Sequence, residues 1–525
     1  MVLWTFMRES SIISQKSFGY LFLREGIGQL TIETAKAPEC QTFWGFFKRN
    51  FMKPKFDWRK FLQELAMIAI PVALQNLLTT TGSMIDTMMI APLGENAVGA
   101  VGLCAQFSSL LFSGYWGFVG GGMLFFAQYW GAGDHKGINR AYGTTMAFLM
   151  IVSCTGGILA MVKPELIMHI YTDKAAIQKI GTEYLSMVGG AYIFSTLATG
   201  MSALLRSTER VKIPLVAAIA SVSTNVFLNW VFIYGHLGAK PMGVKGAALA
   251  TTCAGLVNMT MVFLLAKLRG YRYLSQFRDH FRWSVPWMKE YLHKCFPIIC
   301  NELLIGIGNM VINIVLGRQS EQAIAAMAVF RTLEGLIIGF FAGFSNAASI
   351  LVGKCVGAGE LDTAYERAKR LVLTCGSTIA CICGLVFALH KPILTAMSLS
   401  GTSYQIGVQI LGIYCVVAII RMCNWIQNDT YRSAGDAAYG TILEITFMWL
   451  MIIPAVCLAG LVWKLPFWMI FICCYIDEPI RFCLMQYHMY TGRWIKPVTE
   501  QGRLALADFQ KNRKNLRRES RDQKK

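Results

Sequence analysis

Residues 68–78 read IAIPVALQNLL and residues 294–304 read KCFPIICNELL, so Pro71 and Pro297 hold the same place in two apolar stretches 226 positions apart. The same offset joins ENAVGAVGL from Glu95 to EQAIAAMAV from Glu321, GAGD from Gly131 to GAGE from Gly357, and Arg206-Ser207 to Arg432-Ser433. A constant spacing across four landmarks, with no gap, identifies a tandem repeat. Each copy holds about six apolar runs, an even number, so both copies cross a membrane in the same sense. Parallel repeats of that kind are related by an axis along the membrane normal and leave a substrate path between them.

The apolar runs are each about the 20 residues that a spanning helix needs. They cover 61–91, 97–126, 141–161, 184–205, 214–234 and 246–266, then 296–316, 324–352, 371–389, 408–426, 439–461 and 466–487. Each is too long and too uniformly apolar for a barrel strand. Composition agrees: 55% of the 525 residues are hydrophobic and 15% charged, where a soluble chain carries roughly a quarter charged residues. The 48 glycines suit helices that pack closely in lipid. The fold class is therefore an all-α polytopic membrane protein, with about twelve transmembrane helices in two parallel six-helix lobes. The expected organisation is an extension over 1–60, disordered and cytoplasmic; a first lobe over 61–270; a cytoplasmic linker over 271–290; a second lobe over 291–490; and a basic cytoplasmic tail over 491–525.

The net charge of +19 belongs to topology. Lys and Arg gather before the first run, after the second, fourth, sixth and eighth, and in the tail. Every second loop is basic, which places both termini in the cytoplasm of a multi-pass protein of the plasma membrane. Basic residues confined between apolar runs do not make a nucleic-acid surface. No secretory signal pattern opens the chain; Met52 begins MKPKFDWRKFLQEL, a lead-in to the first span, and is read as the start of translation, with Met1 as the alternative. The sixteen cysteines lie scattered in apolar runs with no metal-ligand spacing, and they read as small buried thiols.

Ionisable groups inside a bilayer are costly, so each one is a candidate for function. Asp86 is alone in the stretch SMIDTMMI. Asn225 and Asn229, four apart, share a helix face, and Thr251 lies in the sixth run. Together they offer a carboxylate and several neutral oxygens, a set suited to a hard cation such as sodium; the same carboxylate could carry a proton instead. In the second half Glu302, Arg421 and Glu444 are candidates for substrate or ion contact, with Glu302 and Arg421 able to pair as a lock. Arg331 and Glu334, three apart, read as a self-neutralising pair. Asp477, Glu478 and Arg481 are placed at the end of the last span, where snorkelling solvates them. Pro71 and Pro297 open the first and seventh spans and are candidate hinges. The GAGD and GAGE loops read as tight turns that start the next helix.

The stretches SMIDTMMIAPLGENAVGAVGL, AQYWGAGD, LLRSTERVKIPL, NVFLNWVFIYG, GVKGAALATT and YRSAGDA resemble the multidrug and toxic compound extrusion (MATE) transporters, over roughly 61–494. NELLIGIGN and IAAMAVFRTLEGL look more like the bacterial drug and sodium antiporters of that family. The resemblance implies two helical lobes that rock to export organic cations and drugs against sodium or protons, and a monomer. Asp86 matches the family's first-helix aspartate and Glu302 a helix-seven acid. Two departures stand out: Asn229 replaces an acid that some members carry, and Arg421 lies near the place of a missing tenth-helix acid.

The leading reading is a secondary active multidrug antiporter, taking small cationic or amphipathic substrates within the lipid bilayer and using no cofactor beyond a coupling sodium ion or proton. No GxxxxGK[ST] motif supports ATP drive. The alternative within transport is a lipid-linked oligosaccharide flippase, which would need a cationic cavity, and only Arg421 and Arg331 are expected deep enough to make one. An enzyme finds no paired-acid or histidine-rich cluster to support it. A receptor or scaffold gives no reason for the repeat.

Overall fold

The computed structural model describes residues 57–522, except 275, 277–279, 281–282 and 398. The expectations for residues 1–56, including the two possible starts, lie outside the described residues. The first half comprises α1 (Trp58–Ile90), α2 (Glu95–Ala132), α3 (His135–Val162), the short α4 (Pro164–Tyr171), α5 (Ala175–Ser207), α6 (Lys212–Tyr234) and α7 (Val244–Leu268). The second comprises α8 (Val285–Leu316), α9 (Glu321–Gly357), α10 (Leu361–Ala388), the short α11 (His390–Ala396), α12 (Gly401–Ser433) and α13 (Ala437–Val462). Then come α14 (Phe467–Cys473), α15 (Glu478–Thr491) and α16 (Glu500–Asp522).

The 226-residue offset runs through the whole architecture. α3 and α10 correspond residue for residue, as do α5 and α12, and the short α4 recurs as α11. Among the described residues eleven helices are long and apolar enough to cross a membrane. The twelfth, expected over 466–487, is split into α14 and α15 around a turn that ends at Asp477. Pro479 stands in the first turn of α15, where its missing N–H costs no intrahelical bond, so it suits the start of a new helix just after the break. Its repeat-mate is Cys253, within the unbroken α7.

Most helices outrun their apolar stretches; 408–426 grows to Gly401–Ser433 and 97–126 to Glu95–Ala132. Hydropathy marks the length facing lipid, whereas backbone hydrogen bonds carry the helix on into polar surroundings. For the same reason Pro71 and Pro297 do not open their spans but lie well inside α1 and α8. α13 contains two π-helical stretches, Met448–Ile452 and Leu458–Val462, on either side of Pro454, the sort of local widening that follows when a residue without an N–H enters a helix. Between the halves packing is crosswise. α2 lies against α8 and α9, and α1 reaches α9 where Asn76 Nδ2 donates to the Gly339 carbonyl at 3.4 Å.

Candidate functional site

The two halves meet most closely at the face that carries the basic loops. A Cβ added to Gly131 would lie 2.0 Å from the Lys354 carbonyl oxygen, and one added to Gly357 would lie 1.9 Å from that of Gln128. Gly131 with Gly357, and Gln128 with Lys354, are repeat-mates, so this crossing of α2 and α9 obeys the pseudo-twofold symmetry. GAGD and GAGE are turns, as their sequence suggests: Gly133 and Gly359 have positive φ, and the Asp134 side chain accepts from the Gly137 amide. Their first glycines do a second job, letting the two backbones touch.

Gln128 is fully buried at this crossing. Its Nε2 donates to the Ser433 carbonyl at 2.8 Å, and its Oε1 accepts from the Val498 amide at 2.8 Å. One side chain thus ties the first half to the second and to the chain that follows α15. That segment is a strap. Trp494 is fully buried, the Lys496 amide donates to the Ala434 carbonyl at 2.9 Å, and Thr499 Oγ1 donates to the Gly357 carbonyl at 2.8 Å. Asp436, in the turn between α12 and α13, accepts from Lys496 Nζ at 2.9 Å and bonds His488 Nε2 at 3.0 Å. Burial opposes its charge, but these two partners outweigh burial and hold the carboxyl below the ordinary aspartate value. Hydropathy could not announce the strap, because its residues lie past the last apolar run.

In the first lobe the four predicted polar residues come together. Asp86 Oδ1 accepts from Asn229 Nδ2 at 2.6 Å, and the same Nδ2 lies 3.3 Å from Asn225 Oδ1. Asn225 Nδ2 reaches Thr251 Oγ1 at 3.4 Å. α1, α6 and α7 each contribute, and the i, i+4 spacing of the asparagines is what aligns them. Asn229 Oδ1 is buried without a donor. An orphaned oxygen beside a carboxylate, a second amide and a hydroxyl is a donor set that fits a small hard cation.

Beyond the closed crossing lies a cavity of about 550 Å³ between the halves, within the size range of sites for drug-sized ligands. Phe112, Trp116 and Met123 give it an apolar wall; Asn76, Asn301 and Asn428 add amides. Four arginines (Arg206, Arg421, Arg432, Arg481) and three carboxylates (Glu302, Asp429, Glu444) line it as well. Glu302 pairs with Arg432 at 3.3 Å, not with Arg421, and Asp429 lies 3.6 Å from the same arginine. Arg421 instead meets Glu334, with Arg331 completing the expected pair at 2.9 Å. The reason is helical register: Arg421 is three turns from Arg432 on α12 and so cannot serve the same acid.

Glu444 accepts from Asn301 and Asn428 at 3.1 and 3.0 Å and lies 3.6 Å from Arg481. Arg481 also meets Glu478 at 2.9 Å and Asp477 at 3.5 Å. These last two acids are buried, so snorkelling does not describe them; the break before α15 turns them inward onto arginines. Sequence reasoning missed Asp429, Arg206 and Arg432 as cavity residues. Asp429 lies just past the apolar run 408–426, in the polar stretch CNWIQNDTY, so hydropathy did not mark it as intramembrane, and the two arginines stand out in the sequence only as landmarks of the repeat.

The MatE family model matches residues 71–231 and again 297–472, two copies that begin at Pro71 and Pro297. Among curated relatives, an uncharacterised transporter of Bacillus subtilis, YisQ, is 21% identical over 78% of this chain and 90% of its own length. A probable multidrug resistance protein, NorM, of Thermotoga maritima is 24% identical over 77% of this chain and 87% of its own. Among solved structures, a MOP superfamily transporter from Pyrococcus furiosus, whose reverse polarity of binding pocket suggests a different function, superposes with a TM-score of 0.72 at 16% identity. That match covers 82% of this chain and 96% of the other.

Proposed function

The chain belongs to the MatE family of membrane transporters, and we propose that it is a secondary active exporter that exchanges amphipathic drugs for sodium ions or protons at the plasma membrane. The observation that carries the reading is the Asp86 cluster, a carboxylate with Asn229, Asn225 and Thr251 gathered around it inside an apolar lobe. The ion is cargo. A cation arriving at Asp86 would displace the Asn229 N–H, and turning that amide about its last bond would offer the orphaned Oδ1 in its place. Because α1 also reaches α9 through Asn76, occupancy at Asp86 has a physical route to the other half.

The basic loops support a cytoplasmic position for the closed face. The cavity then opens outward, and rocking of the lobes exchanges the closed face for an open one. A lining with more arginines than carboxylates favours a second reading, a carrier of anionic lipid-linked sugars. The pairing of Arg421, Arg432 and Arg481 with acids leaves little free positive charge for a pyrophosphate, so drug export stands first.

The test is ethidium efflux from cells expressing the protein, with sodium and proton gradients imposed separately. Export by the parent and loss of at least about tenfold in Asp86→Asn, at equal membrane levels, is the expected result, in line with the cost of losing an intramembrane charge. The driving gradient identifies the ion. An Asp86→Asn variant that exports as well as the parent sinks the coupling assignment.

A further inference from the structure

α16 starts beside the closed crossing and runs outward over the second lobe. Thr499, the last residue of the strap, accepts at Oγ1 from the Gly502 amide at 3.2 Å. A Cβ added to Gly502 would lie 2.7 Å from the Val356 carbonyl oxygen at the end of α9. Two turns on, Phe509 is buried, its ring 6.4 Å from that of Tyr365 at the start of α10. One turn further the Arg513 guanidinium sits 3.7 Å from the centre of the Tyr365 ring. Its Nη2 donates to the Tyr490 carbonyl, near the end of α15, at 3.1 Å. Residues 502, 509 and 513 thus share the face that grips the lobe.

The helices that α16 reaches lie at the rim. α10 exposes Leu373, Leu385 and Phe387, an apolar surface suited to acyl chains. α15 exposes Tyr487 and Tyr490 in its last turns, and exposed tyrosines at the end of a span mark the depth of the lipid headgroups. Arg513, bonded to Tyr490, therefore brings α16 to headgroup level.

Charge changes where that grip ends. Residues 500–510 hold one basic and two acidic residues, and residues 511–525 hold eight basic and two acidic. Arg503 is taken by Glu290 at 2.5 Å. Lys511 and Lys514 are exposed on the side turned away from Phe509. Among the described residues no carboxylate forms a salt bridge with either. Like charges three and four apart weaken a helix, so folding alone gives no reason for this run. An anionic surface beside it does, as for other basic clusters next to a span. The run lies past the second MatE match, which ends at residue 472.

We propose that α16 docks on anionic phospholipid headgroups at the rim of the second lobe, through Lys511, Lys514 and the basic residues after them, and that this contact holds the strap on the crossing. The link is mechanical. α16 follows the strap directly, so lifting Val498 from Gln128 pulls on the same helix that the headgroups hold. The proposal goes beyond the export reading, because it needs neither cargo nor coupling ion. A soluble acidic partner could meet the same charge, but the contact of Arg513 with Tyr490 at headgroup depth favours lipid.

The experiment places the full chain in nanodiscs of phosphatidylcholine, alone or mixed in equal parts with phosphatidylglycerol, and follows hydrogen exchange at the strap. The Lys496 and Val498 amides, which donate to the Ala434 carbonyl and to Gln128 Oε1, report on its release. Phosphatidylglycerol should slow both by at least about fivefold, the factor that a single basic residue near an anionic surface supplies. High sodium chloride should remove the difference by screening. The combined variant Lys511→Gln, Lys514→Gln, Arg517→Gln, Arg518→Gln and Arg521→Gln should exchange alike in the two lipids, with α12 amides as in the parent.

Equal strap exchange of the parent in the two lipids overturns the proposal and leaves the basic run to a soluble partner. A lipid difference that survives in the combined variant also overturns it, since the headgroups then act through other basic loops. Neither result bears on export.

Discussion

Gly357→Ala should unlatch the closed face. The added methyl would sit 1.9 Å from the Gln128 carbonyl oxygen and 2.5 Å from its carbon, where real Cβ contacts stay beyond 3.0 Å. The neighbour is backbone, so no side chain can swing aside, and α2 and α9 must separate. Overpacking of this kind costs about 1–3 kcal/mol. Because the clash exists only while the face is closed, the whole cost falls on the closed state, which shifts the equilibrium towards opening by about 5- to 150-fold. The readout is hydrogen exchange at the strap. The Val498 amide is protected by Gln128 Oε1 and the Lys496 amide by the Ala434 carbonyl, so both should exchange faster by the same factor in the variant. Gly102→Ala is the control, since a Cβ there meets nothing within 4 Å and strap exchange should not change. Unaltered strap protection in Gly357→Ala, in a protein whose α5 amides exchange as in the parent, would refute the idea that this crossing holds the face shut.

Asp436 gives the strap a pH dependence of known sign. Its folded value lies below the ordinary one, so its contribution is complete above about pH 4 and is lost as pH falls through the folded value. Melting curves from pH 6 to 3 should show this loss in the parent and not in Asp436→Asn. Pro71→Ala restores a backbone donor in the interior of α1 and favours the straight helix by up to about 3 kcal/mol. Export should fall at least about tenfold with substrate binding retained, and unchanged export with unchanged ion dependence would remove the hinge.

Much of the architecture was legible because it repeats. The offset of 226 read from Pro71, Glu95, Gly131 and Arg206 persists in helix boundaries down to the short α4 and α11. The first-lobe cluster was legible for a different reason: Asn225 and Asn229 stand on one helix, so spacing alone puts them on one face, and Asp86 is the isolated acid for that face to meet. Pairing in the second lobe was not legible. Glu302 had Arg421 and Arg432 within reach of a sequence argument, and choosing between them requires the register of α12 against α8, which no periodicity carries. The break in the twelfth span failed to show for a related reason, since Pro479 sits beside two acids and an arginine that look like an exposed helix end until the fold buries them.

A duplicated chain begins symmetric, and its departures from symmetry mark where the two halves took different work. The glycine crossing is retained in both copies, Gly131 on Lys354 and Gly357 on Gln128, as close contact of the two backbones demands. Asp86 has Ile312 as its repeat-mate, Asn229 has Ala455, and Thr251 has Asp477, so a hard-cation set of this composition exists in one lobe alone. Glu302 and Asp429 have Asn76 and Ala203, so the arginine kept in both halves pairs with acids in one and, among the described residues, with neutral groups in the other. The glycines of the crossing are alike in the two copies, whereas the polar residues of the first-lobe cluster and of the cavity around that arginine are not. Polar groups present in one lobe alone can then bias a motion that the symmetric parts make possible. A transporter whose ion and cargo used equivalent sites in both lobes would gain no direction from its duplication.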